Sequence, residues 1–190
     1  MPTSLVGDQL QRLHGITALT RIHGDAPLLG FARTVKVRPG DNLFVTHALH
    51  DLEPGEVLVV DGAGCTVNAL VGELLMLYAQ QRGCAGFVID GAVRDVDAFR
   101  AAGFPCYARG TSLRGPYKDG PGEVGVPVAV GGQVVLTGDV VLGDGDGIVT
   151  FAPAQLQMVL ERARAKLDIE LAVKAEIANG EREQSWLPRR

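Results

Sequence analysis

The sequence predicts an α/β fold: a mixed sheet with flanking helices and a long C-terminal helix. Three observations carry this expectation. Short all-apolar runs alternate with helix-period segments between residues 57 and 108, as in parallel strands joined by crossovers. Residues 126–151 break into short β-branched runs separated by Gly-Gly, Thr-Gly-Asp and Gly-Asp-Gly-Asp-Gly turns, which favours antiparallel pairing. Residues 155–179 then keep a helical period until Gly180.

Taken in order, residues 1–30 are a variable, weakly patterned N-terminal segment, with a short helix over 5–13 stopped by Gly15. Residues 31–37 read as a strand closed by Arg38-Pro39-Gly40. A helix is expected over 43–49, with Asp41 as its candidate N-cap. Residues 57–60 are a buried strand followed by Asp61-Gly62-Ala63-Gly64. Residues 69–82 read as a mostly buried helix ended by Gly83, with its start open between Asn68 and Gly72. A second buried strand, 86–89, precedes Asp90-Gly91; a helix over 95–102 and a strand over 105–108 follow. The segments Val59-Val60-Asp61-Gly62-Ala63 and Val88-Ile89-Asp90-Gly91-Ala92 resemble each other, each read as a strand that Asp-Gly ends before a helix. Short strands are expected at 126–130, 134–136, 140–141 and 148–151. The last helix would be about 37 Å long, against a radius of gyration near 16 Å for a globule of this size. It therefore points onto a neighbouring subunit, the alternative being that it lies across its own sheet.

Composition bounds the function. The 190 residues, 46% hydrophobic and 21% charged, suit a single domain over 1–190 and exclude wholesale disorder. A net charge of −4 argues against nucleic acid or an anionic membrane as the main partner. Cys65, Cys84 and Cys106 form no Cys-x-x-Cys pair and read as buried free thiols of a reducing, cytoplasmic setting. The N-terminus lacks a signal-peptide pattern, and no stretch reaches the length of a membrane span. The 25 glycines, about twice the average share, imply many tight turns.

Three segments could carry chemistry. In Gly91-Ala92-Val93-Arg94-Asp95, Arg94 could bind a carboxylate through two parallel hydrogen bonds and Asp95 could hold a hard divalent cation. The alternative is an N-capping Asp95 beside a surface Arg94. In Gly72-Glu73-Leu74-Leu75, free N–H groups at a helix start would suit an anion if the helix begins at Gly72, the alternative being a Glu73 that only caps or solvates the helix. The loop from Arg114 to Gly122, with Lys118, could close over an anionic substrate or be ordinary surface. Other signals fail. Gly62-Ala63-Gly64 lacks the rest of a dinucleotide fingerprint, Gly143–Gly147 lacks the end ligands of a calcium loop, and His47 and His50 belong to no metal motif.

Gly72-Glu73-Leu74, Val88-Ile89-Asp90-Gly91-Ala92-Val93-Arg94-Asp95, Gly138-Asp139-Val140 and Asp144-Gly145-Asp146-Gly147-Ile148-Val149 together resemble one family. It is the RraA-like family, shared by the regulator of ribonuclease activity A and the metal-dependent 4-hydroxy-4-methyl-2-oxoglutarate / 4-carboxy-4-hydroxy-2-oxoadipate aldolases. The likeness covers roughly residues 30–180, and the stretch from Arg114 to Glu123 leans toward the aldolases. It implies a swivelling β/β/α domain, assembled as a homotrimer or hexamer. It also implies a class II pyruvate aldolase, a carbon–carbon lyase that also decarboxylates oxaloacetate, acting on a small oxo-acid. Asp95 would bind Mg²⁺ or Mn²⁺ directly. Glu73, and Glu170 from the C-terminal helix of an adjacent subunit, would act through water, with Glu176 one slippage away. Arg94 would hold the pyruvyl oxygens, the N–H groups of Leu74 and Leu75 beside Gly72 the carboxylate, and Lys118 the distal carboxylate. The other branch implies a non-catalytic, protein-binding regulator, against which Asp95 argues. Two departures bear on substrate choice: the opening before Phe31 is short, and Gly125 stands where relatives often carry Asn.

Overall fold

The computed structural model describes residues 1–180 and 184–187. The elements are α1 (Thr3–Gln9), β1 (Thr20–Arg21), β2 (Leu28–Val37), α2 (Leu43–His50), β3 (Glu56–Val71), α3 (Glu73–Gln81), β4 (Gly86–Val93), α4 (Val96–Ala102), β5 (Cys106–Thr111), β6 (Gly122–Val124), β7 (Val128–Val130), β8 (Gln133–Val135), β9 (Val140–Gly143), β10 (Ile148–Phe151) and, after a 3₁₀ turn, α5 (Leu156–Ala178). The main sheet runs β1-β5-β4-β3-β2-β9-β10, with β6 also on β2 and β7-β8 forming a separate hairpin. Strands β2, β3, β4 and β5 pair parallel with one another, whereas β1, β6, β9 and β10 pair antiparallel. The predicted mixed sheet is therefore present.

Strand alternation explains the layering. Leu58 and Val60 face one side, packing with Val45, Leu49, Met76 and Phe99 of α2, α3 and α4. Val57 and Val59 face the other, against Val128, Val130 and Val135 of the hairpin. Helices, sheet and hairpin thus make the three layers of a swivelling β/β/α domain. A third cluster joins α1 to α5 through Val6, Leu10, Phe151 and Val159.

Several local expectations change. The first helix ends at Gln9 rather than Leu13, because Gln11 and Arg12 turn into the left-handed region at φ 60° and 58°. Asp-Gly does not end the strands: β3 runs on to Val71 and β4 to Val93, with bulges between Asp61 and Val71. Gly62 serves close approach instead of a turn. A Cβ there would lie 2.7 Å from Leu70 Cδ1 and 2.8 Å from the Asp90 carbonyl oxygen. Residues 69–71, expected in a helix, are strand, and the helix starts after Gly72. Cys84 and Cys106 are buried as expected, while Cys65 is partly exposed. In the Gly143–Gly147 turn, Asp144 accepts from Thr3 Oγ1 and the Thr3 N–H at 2.6 and 2.8 Å, tying α1 to the sheet.

The C-terminal helix is long, as predicted. Only Val159 and Ala163 are buried, and Ile169, Leu171 and Ile177 stay more than half exposed. Its first half lies on α1, where Lys166 pairs with Asp8. Among the described residues, no helix is long and apolar enough to cross a membrane.

Candidate functional site

Strands β3 and β4 are adjacent and parallel, so their C-terminal ends, Val71 and Val93, emerge side by side. Ligands commonly bind at such ends in open α/β sheets. From Val71 the chain enters α3 through Gly72, its N-cap, and Met76 is the first residue to bond back, to the Gly72 carbonyl at 3.0 Å. The N–H groups of Glu73, Leu74 and Leu75 are therefore left for partners outside the helix. The open alternative for the helix start resolves to the one that exposes an anion site.

From Val93 the chain turns sharply. Asp95 sits in the left-handed region, φ 57° and ψ 41°, as the N-cap of α4, but makes no side-chain cap bond to that helix. Its carboxylate reaches across to α3 instead, where Oδ2 accepts from the Glu73 N–H at 2.9 Å. The simple capping alternative for Asp95 is thus wrong in its target. A non-glycine residue held at positive φ costs energy and persists where surrounding structure imposes it, often at functional sites. Arg94 Nε lies 3.6 Å from Asp95 Oδ2, and both side chains are 43% exposed. Asp95 Oδ1, the Glu73 carboxylate, the terminal nitrogens of Arg94 and the Lys118 ammonium have no hydrogen-bond or ion-pair partner among the described residues.

Gly72 makes this packing possible. A Cβ on it would come within 2.8 Å of Arg94 Cγ and 3.0 Å of Arg94 Nε, and nearer still to Asp95 Oδ2. Its backbone is extended, so the requirement is for space and not for a special conformation.

A cleft of about 160 Å³ opens here, with Gly72, Leu74, Leu75, Arg94 and Lys118 in its wall. Five of the sequence-predicted residues thus line one opening; Asp95 and Glu73 are not in its wall but adjoin Arg94 and Gly72 in the chain and bond to each other through the Glu73 N–H. Asn42, the N-cap of α2, and Thr46 within that helix also line the wall, beside the end of β3 and Pro116, and nothing in their sequence context marked them. Lys118 comes from the Arg114–Gly122 loop, whose Arg114 and Gly115 carbonyls accept from the Ala69 N–H at 2.8 Å and from Asn68 Nδ2 at 2.6 Å. Glu170 is not at this opening within one chain. It lies on α5, with Oε1 4.0 Å from Lys166. Glu176 accepts from the Ser185 N–H and hydroxyl at 3.0 and 2.9 Å.

The donor set fits a hard divalent ion. Asp95 Oδ1 is free, and Mg²⁺ commonly binds through one or two carboxylates while keeping several waters. Among the described residues, no three His, Cys, Asp or Glu side chains gather to cage a metal. The fit is therefore to a water-rich ion on Asp95. Cations and free N–H groups in one wall also suit a small carboxylic acid.

Comparisons with known proteins identify the family and the fold. Residues 3–150 match the family model described as "RraA-like: Aldolase/RraA". A Halalkalibacterium halodurans protein named "Putative 4-hydroxy-4-methyl-2-oxoglutarate aldolase" is 37% identical over 167 residues, covering 87% of this chain and 80% of its own. The fold is similar to the RNA-processing inhibitor RraA from Thermus thermophilus, with TM-score 0.73 and 33% identity, over 80% of this chain and 92% of that one. It is also similar to Streptomyces coelicolor RraAS2, described as an unusual member of the RNase ES inhibitor RraA family, with TM-score 0.84 and 26% identity over 93% of each chain. With the family model spanning most of its length and a relative 37% identical over 87% of it, the chain belongs to the RraA-like family.

Proposed function

We propose that the protein is a divalent-metal-dependent pyruvate aldolase. It would cleave 4-hydroxy-4-methyl-2-oxoglutarate or 4-carboxy-4-hydroxy-2-oxoadipate to pyruvate and a second keto acid, and would decarboxylate oxaloacetate. One observation carries this reading: Asp95 and Arg94 face the open N-terminus of α3 across a glycine that leaves them room.

Retro-aldol cleavage passes the C4 hydroxyl proton to a water in the site, forms the C4 carbonyl as the C3–C4 bond breaks, and sends that bond's electron pair toward the C2 oxygen. The resulting enolate is then protonated at C3 to give pyruvate. The need is positive charge where that oxygen becomes anionic. Mg²⁺ or Mn²⁺ on Asp95 would supply part of it when bound. Arg94 would donate to the 2-oxo and carboxylate oxygens and hold them in one plane. The N–H groups of Leu74 and Leu75, at the positive end of α3, would take the carboxylate. Glu73 would order water beside Asp95, and Lys118 would pair with the carboxylate at the far end of the substrate. Loss of carbon dioxide from oxaloacetate leaves the same enolate, which is why one site would serve both reactions.

The exposed apolar end of α5 supports assembly as a homotrimer or hexamer, with Glu170 reaching the site of an adjacent subunit. Glu176 is the weaker candidate, since Ser185 already occupies it. The likeness to RNase-inhibitor structures favours a second reading, a non-catalytic protein-binding regulator, but that role gives the free carboxylate of Asp95 no task.

The test is a lactate-dehydrogenase-coupled assay of pyruvate release from 4-hydroxy-2-oxo acids and oxaloacetate, with and without Mg²⁺. Asp95→Ala should abolish both turnover and metal dependence. Full activity in that variant would sink the assignment.

A further inference from the structure

The side chain of Asp41 is 1% exposed and lies outside the cleft, yet its carboxylate joins two parts of the cleft wall. Oδ1 accepts from the Leu43 N–H at 2.9 Å, at the start of α2, which carries Thr46. Oδ2 accepts from the Asp119 and Gly120 N–H groups at 2.8 and 2.9 Å, immediately after Lys118. Arg38 Nη2 donates to the same oxygen at 3.1 Å and stacks 5.6 Å over the Tyr117 ring. On the near side of Lys118, the Tyr117 N–H donates to the Gly40 carbonyl at 2.9 Å, and its carbonyl accepts from the Asn42 N–H at 3.0 Å. The 40–42 turn therefore holds both sides of Lys118, through backbone bonds before it and through the Asp41 carboxylate after it, while its ammonium remains unpartnered among the described residues.

We propose that Asp41 is a positioning residue, which fixes Lys118 over the cleft and thereby sets affinity for the end of the substrate remote from its 2-oxo acid group. This rests on the aldolase reading for the identity of the ligand. A long, flexible lysine grips a carboxylate well only if its backbone is already placed, because ordering a loop on binding subtracts from affinity. Two N–H bonds to a buried carboxylate are charge-assisted, and their loss frees the far side of Lys118 while the backbone bonds of Tyr117 still hold the near side. The 2-oxo acid end, held by α3 and β4, makes no use of Asp41.

The experiment compares two probes in the presence of Mg²⁺ by calorimetric titration: pyruvate, which has only the 2-oxo acid end, and 2-oxoglutarate, which adds a distal carboxylate. Asp41→Asn should weaken 2-oxoglutarate about tenfold and leave pyruvate within twofold. Lys118→Ala should do the same, and the double variant should be no worse than either single one. The half-exposed Arg38 gives a milder variant, Arg38→Met, expected to shift the same ratio about threefold if Asp41→Asn does not fold. In turnover, KM for the 4-hydroxy-2-oxo acid should rise while kcat holds within threefold. Additive effects of Asp41→Asn and Lys118→Ala, or equal weakening of both probes, would overturn the proposal. Wild-type binding of both probes without pyruvate release would instead reject the aldolase reading and leave the positioning role standing on its titrations.

Discussion

Gly72→Ala tests the site at its tightest point. The new Cβ would stand 2.8 Å from Arg94 Cγ and 3.0 Å from Arg94 Nε, and closer to Asp95 Oδ2. Carbon atoms pack best near 3.5–4.0 Å, so the arginine has to retreat by about 1 Å. Both obstructing side chains are 43% exposed and can swing toward water. The Gly72 backbone, at φ −153°, accepts any residue. The clash should therefore displace functional groups without unfolding the chain. A misplacement of about 1 Å in a catalytic constellation costs roughly a hundredfold in rate, about 2.7 kcal/mol. The coupled pyruvate assay should show that loss in kcat/KM, while the thermal midpoint moves by no more than about 2 °C, under 1 kcal/mol for a chain of this size. Activity within threefold of wild type would refute the claim that Gly72 is required for space. Loss of activity together with the fold would refute the claim that the obstruction is confined to the site.

Gly62→Ala should behave in the opposite way. Its Cβ meets the Asp90 carbonyl in the middle of the sheet, which cannot swing aside, so differential scanning calorimetry should show a drop of about 5 °C, from ~2 kcal/mol of overpacking. For the thiols, burial pushes Cys84 up to about 11 and Cys106 higher still. Titration with a thiol-reactive dye near neutral pH should find one fast group, Cys65, in the native protein and three after denaturation. Burial raises the Asp144 carboxyl, but the hydrogen bonds from Thr3 and from the Asp146 and Gly147 N–H groups outweigh it and leave it below the ordinary value of 3.8. The stability it contributes is thus fully present above about pH 4 and is lost as pH falls through the lowered value. Melting curves for Asp144→Asn should accordingly start lower at neutral pH and lose less than wild type on acidification. For α5, Leu171→Asp should shift sedimentation velocity profiles toward monomer, and an unchanged assembly would remove the helix from the interface.

The elements legible in the sequence were those whose signals act locally. The all-apolar runs Val57–Val60 and Gly86–Ile89 are strands because both faces of a central strand are covered. The place of Arg94 and Asp95 just past a strand end was legible because the buried run before them is a local signal, whereas the bond from the Glu73 N–H to Asp95 was not. Ala69-Leu70-Val71 misled because a short apolar run satisfies both periods, and only pairing with β4 decides it. Gly62 and Gly91 misled because the absence of a side chain serves a turn and a close approach equally well. β1 and β6, of two and three residues, exist only through their partners. Asp41 read as a cap, and its Oδ1 does bond the first residue of α2. Its bonds to residues 78 and 79 positions away had no local trace.

The cleft has two halves of different mechanical origin. One is made from the ends of two paired central strands and the start of α3, so its backbone is fixed by the sheet and only its side chains are free to change. The other is a surface loop joined to its neighbours by Asp41 and a few backbone bonds. Such a division allows one half to vary while the other stays constant. On the aldolase reading, replacing residues 114–118, with Asp119 and Gly120 kept as the anchor points, should change the preference at one end of the ligand and leave the reaction at the other end unchanged.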